Sequence, residues 1–297
     1  LRYTSGAVVS LALVMLGENE EEIDINANWY YTTEIKRFTL ADGSRDTQSL
    51  PTMIIPLGLG PIPALKLVSE NALEHYLREK TNENGNSNPV LASLGSGKDI
   101  VPGVVEGGFT VWNGSRQMVE FLIDKGLLEG LHSKRILELG CGAGIPGLAA
   151  LKVGAASVTF QDYNPEVLVY WTIPNVSLNA VGPELGRANF VSGDWAQLAV
   201  EWESERPSER YDVILTAETI YRTDLYSRLH RACDACLAPD GEVLVFCKIT
   251  YGPGGTLWDF LEFVNTQQRF RTIVNQVAYD GVQTFLIQMR RISGSVC

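Results

Sequence analysis

The second half of the chain alternates short apolar runs with amphipathic segments. Apolar runs of this length, bounded by glycine, proline or acidic residues, are typical of buried strands. Amphipathic segments between them predict helices, one of which turns Trp258, Leu261 and Val264 towards the core. This alternation predicts a doubly wound α/β fold with a parallel sheet and right-handed crossovers. Seven strands are predicted, at residues 136–139, 157–161, 189–192, 211–215, 243–246, 271–276 and 284–289.

The last two predicted strands flank Asp280-Gly281, which is a typical hairpin turn. They should therefore pair with each other in antiparallel fashion.

The chain before residue 106 is patterned less regularly. It contains an acidic patch, a predicted hairpin around Ala41-Asp42-Gly43 and a helix-like run from residue 63 to 80. Residues 81–89 are polar and predict a loop or linker. We therefore divide the chain into a partly irregular N-terminal extension, residues 1–105, and an α/β domain, residues 106–297.

A glycine-rich loop follows the first strand of the α/β domain. Gly140, Gly142 and Gly144 alternate after Glu138, and Pro146 opens the next helix. Glycines let the backbone turn sharply and approach a ligand closely, and the free N–H groups of the helix point at the same place. A dinucleotide site would read G-x-G-x-x-G, whereas this loop reads E-x-G-x-G-x-G. The loop favours S-adenosylmethionine (SAM) over NAD, with a ligand-free loop as a further alternative.

Polar residues also end the next three strands. Asp162 follows Gly140 at about the ~20-residue spacing of an acid that binds ribose hydroxyls. Asp194 could accept a hydrogen bond from an adenine amine, with Trp195 holding the base edge. The fourth strand ends in a run from Ala217 to Tyr221. Ligands of open α/β sheets bind at these carboxyl ends, so the three ends predict one nucleotide-like site.

Composition excludes some classes of function. A chain of 297 residues with 45% hydrophobic content can bury a full core. The net charge of −11 argues against binding a phosphate backbone, which needs clustered Lys and Arg. The charge is compatible with a basic protein partner or with a role in solubility alone.

The cysteines and the apolar N-terminal run predict no further chemistry. Cys233 and Cys236 share a helix face without a second ligand pair, which favours packing over zinc, so we expect no metal site. We expect reduced thiols for all five cysteines. The run at residues 7–16 precedes acidic residues 18–22 and is too short for a membrane span. We therefore expect a protein that is not secreted.

Several motifs together resemble the histidine protein methyltransferases. These enzymes are a branch of the seven-β-strand SAM-dependent methyltransferases related to protein lysine methyltransferases. The similarity extends from about Asp99 to Met289. It rests on Gly103-Val104-Val105-Glu106-Gly107-Gly108, Val111-Trp112, Glu138 to Gly144, Phe160-Gln161-Asp162-Tyr163-Asn164, Ile173-Pro174-Asn175-Val176, Gly193-Asp194-Trp195, Leu215-Thr216-Ala217-Glu218-Thr219-Ile220-Tyr221 and Lys248-x-x-Tyr251-Gly252 before Gly254-Gly255.

The resemblance implies a fold, a reaction and a cofactor site. It implies a seven-stranded Rossmann-like sheet with an antiparallel last hairpin. It also implies methyl transfer from SAM to the tele nitrogen of a histidine in a large-subunit ribosomal protein, by a monomer of cytoplasm and nucleus. The implied SAM contacts, together with those of the glycine loop, are Val111, Trp112, Asn113, Gly114, Ser115, Glu138, Gly140, Gly142, Gln161, Asp162, Tyr163, Gly193, Asp194, Trp195 and Ala217. Relatives usually have glutamate and cysteine where this chain has Asn113 and Gly114, and serine at Ala217.

Two residues are candidates for the chemistry. Neutral imidazole, with an ordinary pKa near ~6.5, already offers a lone pair at pH 7, but its other nitrogen must hold the proton. Glu218 could accept that N–H and orient the ring or help to hold SAM, while Tyr221 walls the pocket. Alternatively, Glu218 caps a turn and Tyr221 only packs. A protein lysine methyltransferase and an inactive SAM-fold binding module remain alternatives for the whole chain.

Overall fold

The computed structural model describes residues 34–83, 88–206 and 208–292. The acidic patch and apolar run near the N-terminus lie outside the described residues. The strands are β1 (Lys36–Phe38), β2 (Thr52–Pro56), β3 (Ala64–Val68), β4 (Ile100–Val101), β5 (Val105–Glu106), β6 (Arg135–Leu139), β7 (Ser157–Asp162), β8 (Ala188–Ser192), β9 (Tyr211–Ala217), β10 (Leu237–Lys248), β11 (Phe270–Asp280) and β12 (Val282–Arg291).

Helices lie between most of these strands. A π-helical turn, Leu168–Thr172, joins α6 to α7, and short 3₁₀ turns occur at Leu40–Asp42, Leu128–Leu131, Gly182–Arg187 and Thr223–Leu225. The α-helices are α1 (Arg45–Gln48), α2 (Glu70–Glu83), α3 (Pro89–Gly95), α4 (Asn113–Asp124), α5 (Ile145–Lys152), α6 (Pro165–Val167), α7 (Ile173–Asn179), α8 (Trp195–Ser204), α9 (Tyr226–Cys236) and α10 (Leu257–Gln267).

A single large sheet organises the fold. Its order is β1-β8-β7-β6-β9-β10-β12-β11, so the seven predicted strands are present and the predicted α/β class is confirmed. Strands β6 to β10 are parallel, and the last two pair in antiparallel fashion as predicted. Strand β12 inserts between β10 and β11. The sheet has eight strands rather than the expected seven, because β1 pairs with β8 as an additional antiparallel edge strand.

The N-terminal region differs from its predicted elements. Residues 41–43 belong to a 3₁₀ turn and its cap rather than to a hairpin. The run from residue 63 to 80 divides into strand β3 and helix α2, and the hairpin of the region is β2–β3. Asn179 binds the edge of β3 in both directions, accepting from Lys66 N at 2.9 Å and donating to Lys66 O at 2.6 Å. A hairpin with so few pairs depends on such tertiary support.

Apolar side chains pack on both faces of the large sheet. One cluster joins the sheet to α5 and α7 and takes in Leu67, Leu77 and Val90 from the N-terminal region. The other packs α8, α9 and α10 against the opposite face. Because the N-terminal region shares a core with the sheet, the two parts stabilise each other. Our division at residue 105 remains a prediction.

Helix α10 corrects one predicted core residue. Leu257, Phe260 and Val264 are its buried side chains, whereas Trp258 is 61% exposed. The buried face begins one residue before the predicted one, and a step of one residue rotates a side chain by about 100° around the helix.

The cysteines Cys233 and Cys236 of α9 are buried in the second apolar cluster, consistent with the packing role. Among the described residues, no helix has the length and apolar character needed to cross a bilayer.

Candidate active site

A cavity of about 510 Å³ lies at the carboxyl ends of the parallel strands. This volume is within the range of small-molecule sites. The loops after β6, β7, β8 and β9 form its floor, and the β4–β5 hairpin with the loop before α4 forms its opposite wall. The predicted residues that line it are Val111, Trp112, Ser115, Glu138, Gly140, Gly142, Asp162, Tyr163, Gly193, Asp194, Trp195, Ala217, Glu218 and Tyr221.

Asn113, Gly114 and Gln161 do not line the cavity. Asn113 and Gly114 lie in the first turn of α4, and Gln161 is fully buried behind the floor. Gln161 accepts hydrogen bonds from Gly140 N at 3.3 Å and Trp195 Nε1 at 2.9 Å, and donates to Gly193 O at 2.8 Å. It therefore positions three residues that do line the cavity.

The glycine loop between β6 and α5 takes the predicted sharp path. Gly140, Gly142 and Gly144 have φ of 64°, 49° and 79°, a region that favours glycine. A Cβ on Gly142 would lie 3.2 Å from Gly108 O, so the loop and the opposite wall approach closely. Glu138 accepts a hydrogen bond from Gly147 N at 2.9 Å, which ties the strand to the helix. Burial raises the pKa of Glu138 well above its usual range.

Asp162, the last residue of β7, supports the glycine loop from below. It accepts hydrogen bonds from Gly142 N at 2.9 Å and from Asn164 N at 3.2 Å. Burial raises its pKa to about 6, although these N–H groups act in the opposite direction. A carboxylate has about four acceptor positions, so Asp162 keeps capacity for ligand hydroxyls.

Asp194 caps helix α8 at the far end of the cavity. Its carboxylate accepts from Ala196 N at 2.7 Å and pairs with Arg228 at 2.6 Å. Asp194 lines the cavity beside Gly193 and Trp195, so its contact with an adenine amine stays a prediction, and the carboxylate also has a structural task.

Glu218 lies at the end of β9, in the cavity wall opposite Asp194. Its φ of 61° is unusual for a residue with a Cβ, and strain of this kind is often found at functional sites. Its side chain is 4% exposed, and no described residue donates a hydrogen bond of normal geometry to either carboxylate oxygen. Lys248 Nζ lies 3.4 Å from Oε2. Burial raises the pKa of Glu218, and Lys248 opposes that shift. The carboxylate does not cap a turn.

Gly114 makes room for Glu218. A Cβ on Gly114 would lie 2.2 Å from Glu218 Oε1 and 2.6 Å from Cγ. The carboxylate thus sits against the first turn of α4, where the helix dipole favours negative charge. Trp112 precedes this turn and donates from Nε1 to Gly107 O at 2.9 Å.

The β4–β5 hairpin is fixed over the cavity from two sides. Tyr163 and Asn164 donate to Gly103 O at 3.0 Å and Val104 O at 2.7 Å. On the other side Tyr221 donates its hydroxyl proton to Glu106, which also pairs with Arg222 at 3.1 Å. Burial and the Glu106 carboxylate raise the pKa of Tyr221, which keeps the phenol a neutral donor.

Sequence reasoning missed Glu106, Arg222, Lys248 and Tyr251 as residues of this site. Lys248 ends strand β10, so the rule that pointed to the other strand ends also covered it and Tyr251. Glu106 belongs to a motif of the resemblance but was given no role, and Arg222 gave no signal, because both meet Tyr221 only in the folded chain.

Comparison with known proteins identifies the family. A family model described as "Lysine methyltransferase" matches residues 99–263, more than half of the chain. A bovine relative named histidine protein methyltransferase 1 homolog is 33% identical over 251 residues, 77% of this chain. The chain belongs to this class I methyltransferase family.

Three further proteins are similar to this chain over 46% to 75% of its length. A Dictyostelium discoideum histidine protein methyltransferase 1 homolog is 35% identical over 62% of this chain. A protein N-terminal and lysine N-methyltransferase of Yarrowia lipolytica is 26% identical over 46% of it. This chain spans 66% of the length of the bovine relative and 57% of the length of the Dictyostelium relative. A TehB-like SAM-dependent methyltransferase of Corynebacterium glutamicum has 18% identity and a TM-score of 0.44, covering 75% of this chain and all of that one.

SAM is the methyl donor of this family, and the cavity fits it. The glycine loop offers close backbone approach for the amino-acid end, and Asp162 has free acceptor capacity for a ribose. Asp194 and Trp195 stand where a base would lie. Acidic side chains around the cavity complement a cofactor that carries sulfonium and ammonium charges.

Proposed function

We propose that the chain transfers a methyl group from SAM to the tele nitrogen of a histidine in a large-subunit ribosomal protein. The observation that carries this proposal is Glu218, a buried carboxylate of the cavity wall that lies 3.4 Å from the Lys248 ammonium and accepts no hydrogen bond from a described backbone N–H. The names of the relatives support histidine as the acceptor.

In this reaction the bound cofactor supplies an electrophilic methyl on sulfonium sulfur. The chain must present a ring nitrogen whose lone pair is free. Glu218 accepts the N–H of the other ring nitrogen, which fixes the tautomer and stabilises the positive charge that develops on the ring. The attacking nitrogen forms the N–C bond with its lone pair, and the electron pair of the broken S–C bond stays on sulfur.

The remaining residues position and enclose the acceptor. Tyr221 forms one wall and links it to the hairpin through Glu106. Trp112 and Tyr251 add aromatic surface to the cavity around Glu218. Positioning in a dry pocket supplies much of the rate in a displacement that needs no proton transfer before attack.

Protein lysine methylation is the second candidate, because the description of the matching family model names it. A lysine ammonium, with an ordinary pKa near ~10.4, must lose a proton before attack. An inactive SAM-binding module is a third possibility, since Asn113 and Ala217 differ from the residues usual in the family.

We also propose a basic partner and a monomeric enzyme of cytoplasm and nucleus. The net charge of −11 favours encounter with a basic ribosomal protein and disfavours direct binding of nucleic acid.

The test is incubation with methyl-labelled SAM and a ribosomal-protein extract from cells that lack this enzyme, followed by mass spectrometry of the labelled protein. Label on the tele nitrogen of one histidine supports the proposal. Label on lysine supports the second candidate instead. SAM binding without label in any protein supports the binding module.

A further inference from the structure

Lys248 holds its ammonium between two aromatic rings of the cavity wall. Its Nζ lies 5.4 Å from the centroid of the Trp112 ring and 5.6 Å from that of Tyr251. It also lies 3.4 Å from Glu218 Oε2. Two ring faces and a carboxylate together are the arrangement that binds an ammonium group.

The position of Lys248 is fixed by the sheet. Its backbone pairs with Thr284 of β12, and its N–H donates to the Tyr251 hydroxyl at 3.2 Å. The side chain is 28% exposed, so it is half-enclosed rather than free in solvent. Lys248 does not itself line the cavity, but its ammonium contacts Trp112, Tyr251 and Glu218, which do.

Other basic groups around the cavity are engaged elsewhere. Arg222 pairs with Glu106 and Asp224, and Arg228 pairs with Asp194. Among the residues that the structure describes, Lys248 is therefore the one basic side chain paired with Glu218.

We propose that Lys248 determines acceptor specificity by filling, from within the chain, the cation position that a substrate lysine would need beside Glu218. The inference rests on the proposed function. A second ammonium next to Glu218 would meet the like charge of Lys248 at close range. A neutral imidazole meets no such repulsion.

Removing the ammonium should open the site to lysine. In K248A the carboxylate of Glu218 and the two rings are free to receive a substrate ammonium. Glu218 then takes one ammonium proton and passes it to water, the amine lone pair forms the N–C bond, and the S–C pair stays on sulfur.

The experiment compares wild type, K248A and the charge-retaining K248R. Each is incubated with methyl-labelled SAM and the ribosomal-protein extract described above, and labelled methylhistidine and methyllysine are quantified after hydrolysis. We expect the ratio of methyllysine to methylhistidine to rise about tenfold or more in K248A, because the repulsion between two like charges is removed. The ratio should stay near wild type in K248R, which retains the charge. An unchanged ratio in a K248A protein that folds and binds SAM would overturn the inference.

Propylammonium added to K248A gives a second readout that a structural role would not produce. The cation should occupy the vacated position, suppress methyllysine and restore methylhistidine in a saturable way, whereas sodium chloride at equal ionic strength should not. If K248A does not fold, K248M keeps the apolar stem against the rings and is judged by the same ratio. The wild-type arm separates the two proposals: lysine label there refutes the proposed function, whereas histidine label there with an unchanged K248A ratio refutes only this inference.

Discussion

At the scale of single residues, the site depends on three buried carboxylates. Glu138, Asp162 and Glu218 all have pKa values raised by burial, so each is costly to ionise. Carboxyl groups with raised pKa values cluster at functional sites. Burial makes their negative charge costly, but it also strengthens the attraction between that charge and a bound cation.

Glu218→Gln separates acceptor chemistry from cofactor binding. The amide has the same shape but stabilises the imidazolium much less, so we expect turnover to fall about 10²-fold or more. The dissociation constant for SAM and the melting temperature should stay close to wild type, which calorimetry and thermal unfolding check. Unchanged turnover would remove Glu218 from the chemistry.

Gly114→Ala should disturb the same carboxylate from the outside. The new Cβ would overlap Glu218 Oε1, so we expect about 1–3 kcal/mol of destabilisation and lower turnover. Gly130→Ala is the matched control, because a Cβ at Gly130 meets no atom within 4 Å. Equal unfolding free energies and turnover for the two variants, measured in urea and by methyl transfer, would contradict the contact.

Acidification should weaken SAM binding through Asp162. Its pKa of about 6 means that most of this carboxyl is protonated at pH 5, so the measured affinity should fall about tenfold between pH 7.5 and 5. Since the folded state binds this proton more tightly than the unfolded state, Asp162 makes the cofactor-free protein less stable as the pH rises from about 4 to 6. Calorimetric titration of SAM at several pH values, with Asp162→Asn expected to flatten the profile, checks this.

At the scale of elements, the cavity is made by a sheet and closed by the β4–β5 hairpin. The hairpin pairs through only two register positions, Ile100 with Glu106 and Val101 with Val105. Its position therefore depends on the bonds that Tyr163, Asn164, Tyr221 and Arg222 make to it.

Glu106→Gln should loosen that closure. Loss of the carboxylate removes one of the two charge partners of Arg222 and weakens the bond from Tyr221, so SAM should dissociate roughly three- to tenfold faster. Stopped-flow displacement measures the rate. Glu120→Gln, which alters a half-buried pair with Arg116 on α4, is the control and should leave the rate unchanged.

The elements that the sequence predicted are those with local signals. Seven strands and the polar strand ends could be predicted because each is an apolar run followed directly by its functional residue. Strand β1 could not, since three residues with two cations become a strand only by pairing with β8. Likewise Lys248 and Glu106 gain their roles from partners distant in sequence. The burial predicted for Trp258 was wrong because the sequence of a short helix is compatible with two neighbouring apolar faces.

At the scale of the whole molecule, the N-terminal region and the sheet share one core. Leu57, Leu65, Leu73 and Leu94 are buried in the same cluster as Phe160 and Trp171. Trp171 Nε1 also donates to Val68 O at 3.2 Å.

A protein that begins at residue 99, where the family match starts, should therefore fold poorly. It would expose the apolar face that these side chains cover, at roughly 1.5–3 kcal/mol for each large side chain uncovered. We expect loss of the cooperative thermal transition and binding of a hydrophobic dye, relative to a chain that begins at residue 34. A sharp transition in the shorter chain would instead favour two independent domains, as our division at residue 105 implies.

Strand β1, at the edge of the sheet, pairs with the strand that leads into one loop of the cavity. Lys36 pairs with Ser192, and a Cβ on the next residue, Gly193, would lie 2.6 Å from Ile35 Cδ1. The loop at Gly193 thus packs against the residue before the edge strand. Gln161 holds the same loop by donating a hydrogen bond to Gly193 O. We therefore expect that a mutation or partner that detaches β1 lowers the affinity of the cavity for SAM, because the order of the edge strand and the occupancy of the cavity are then thermodynamically linked.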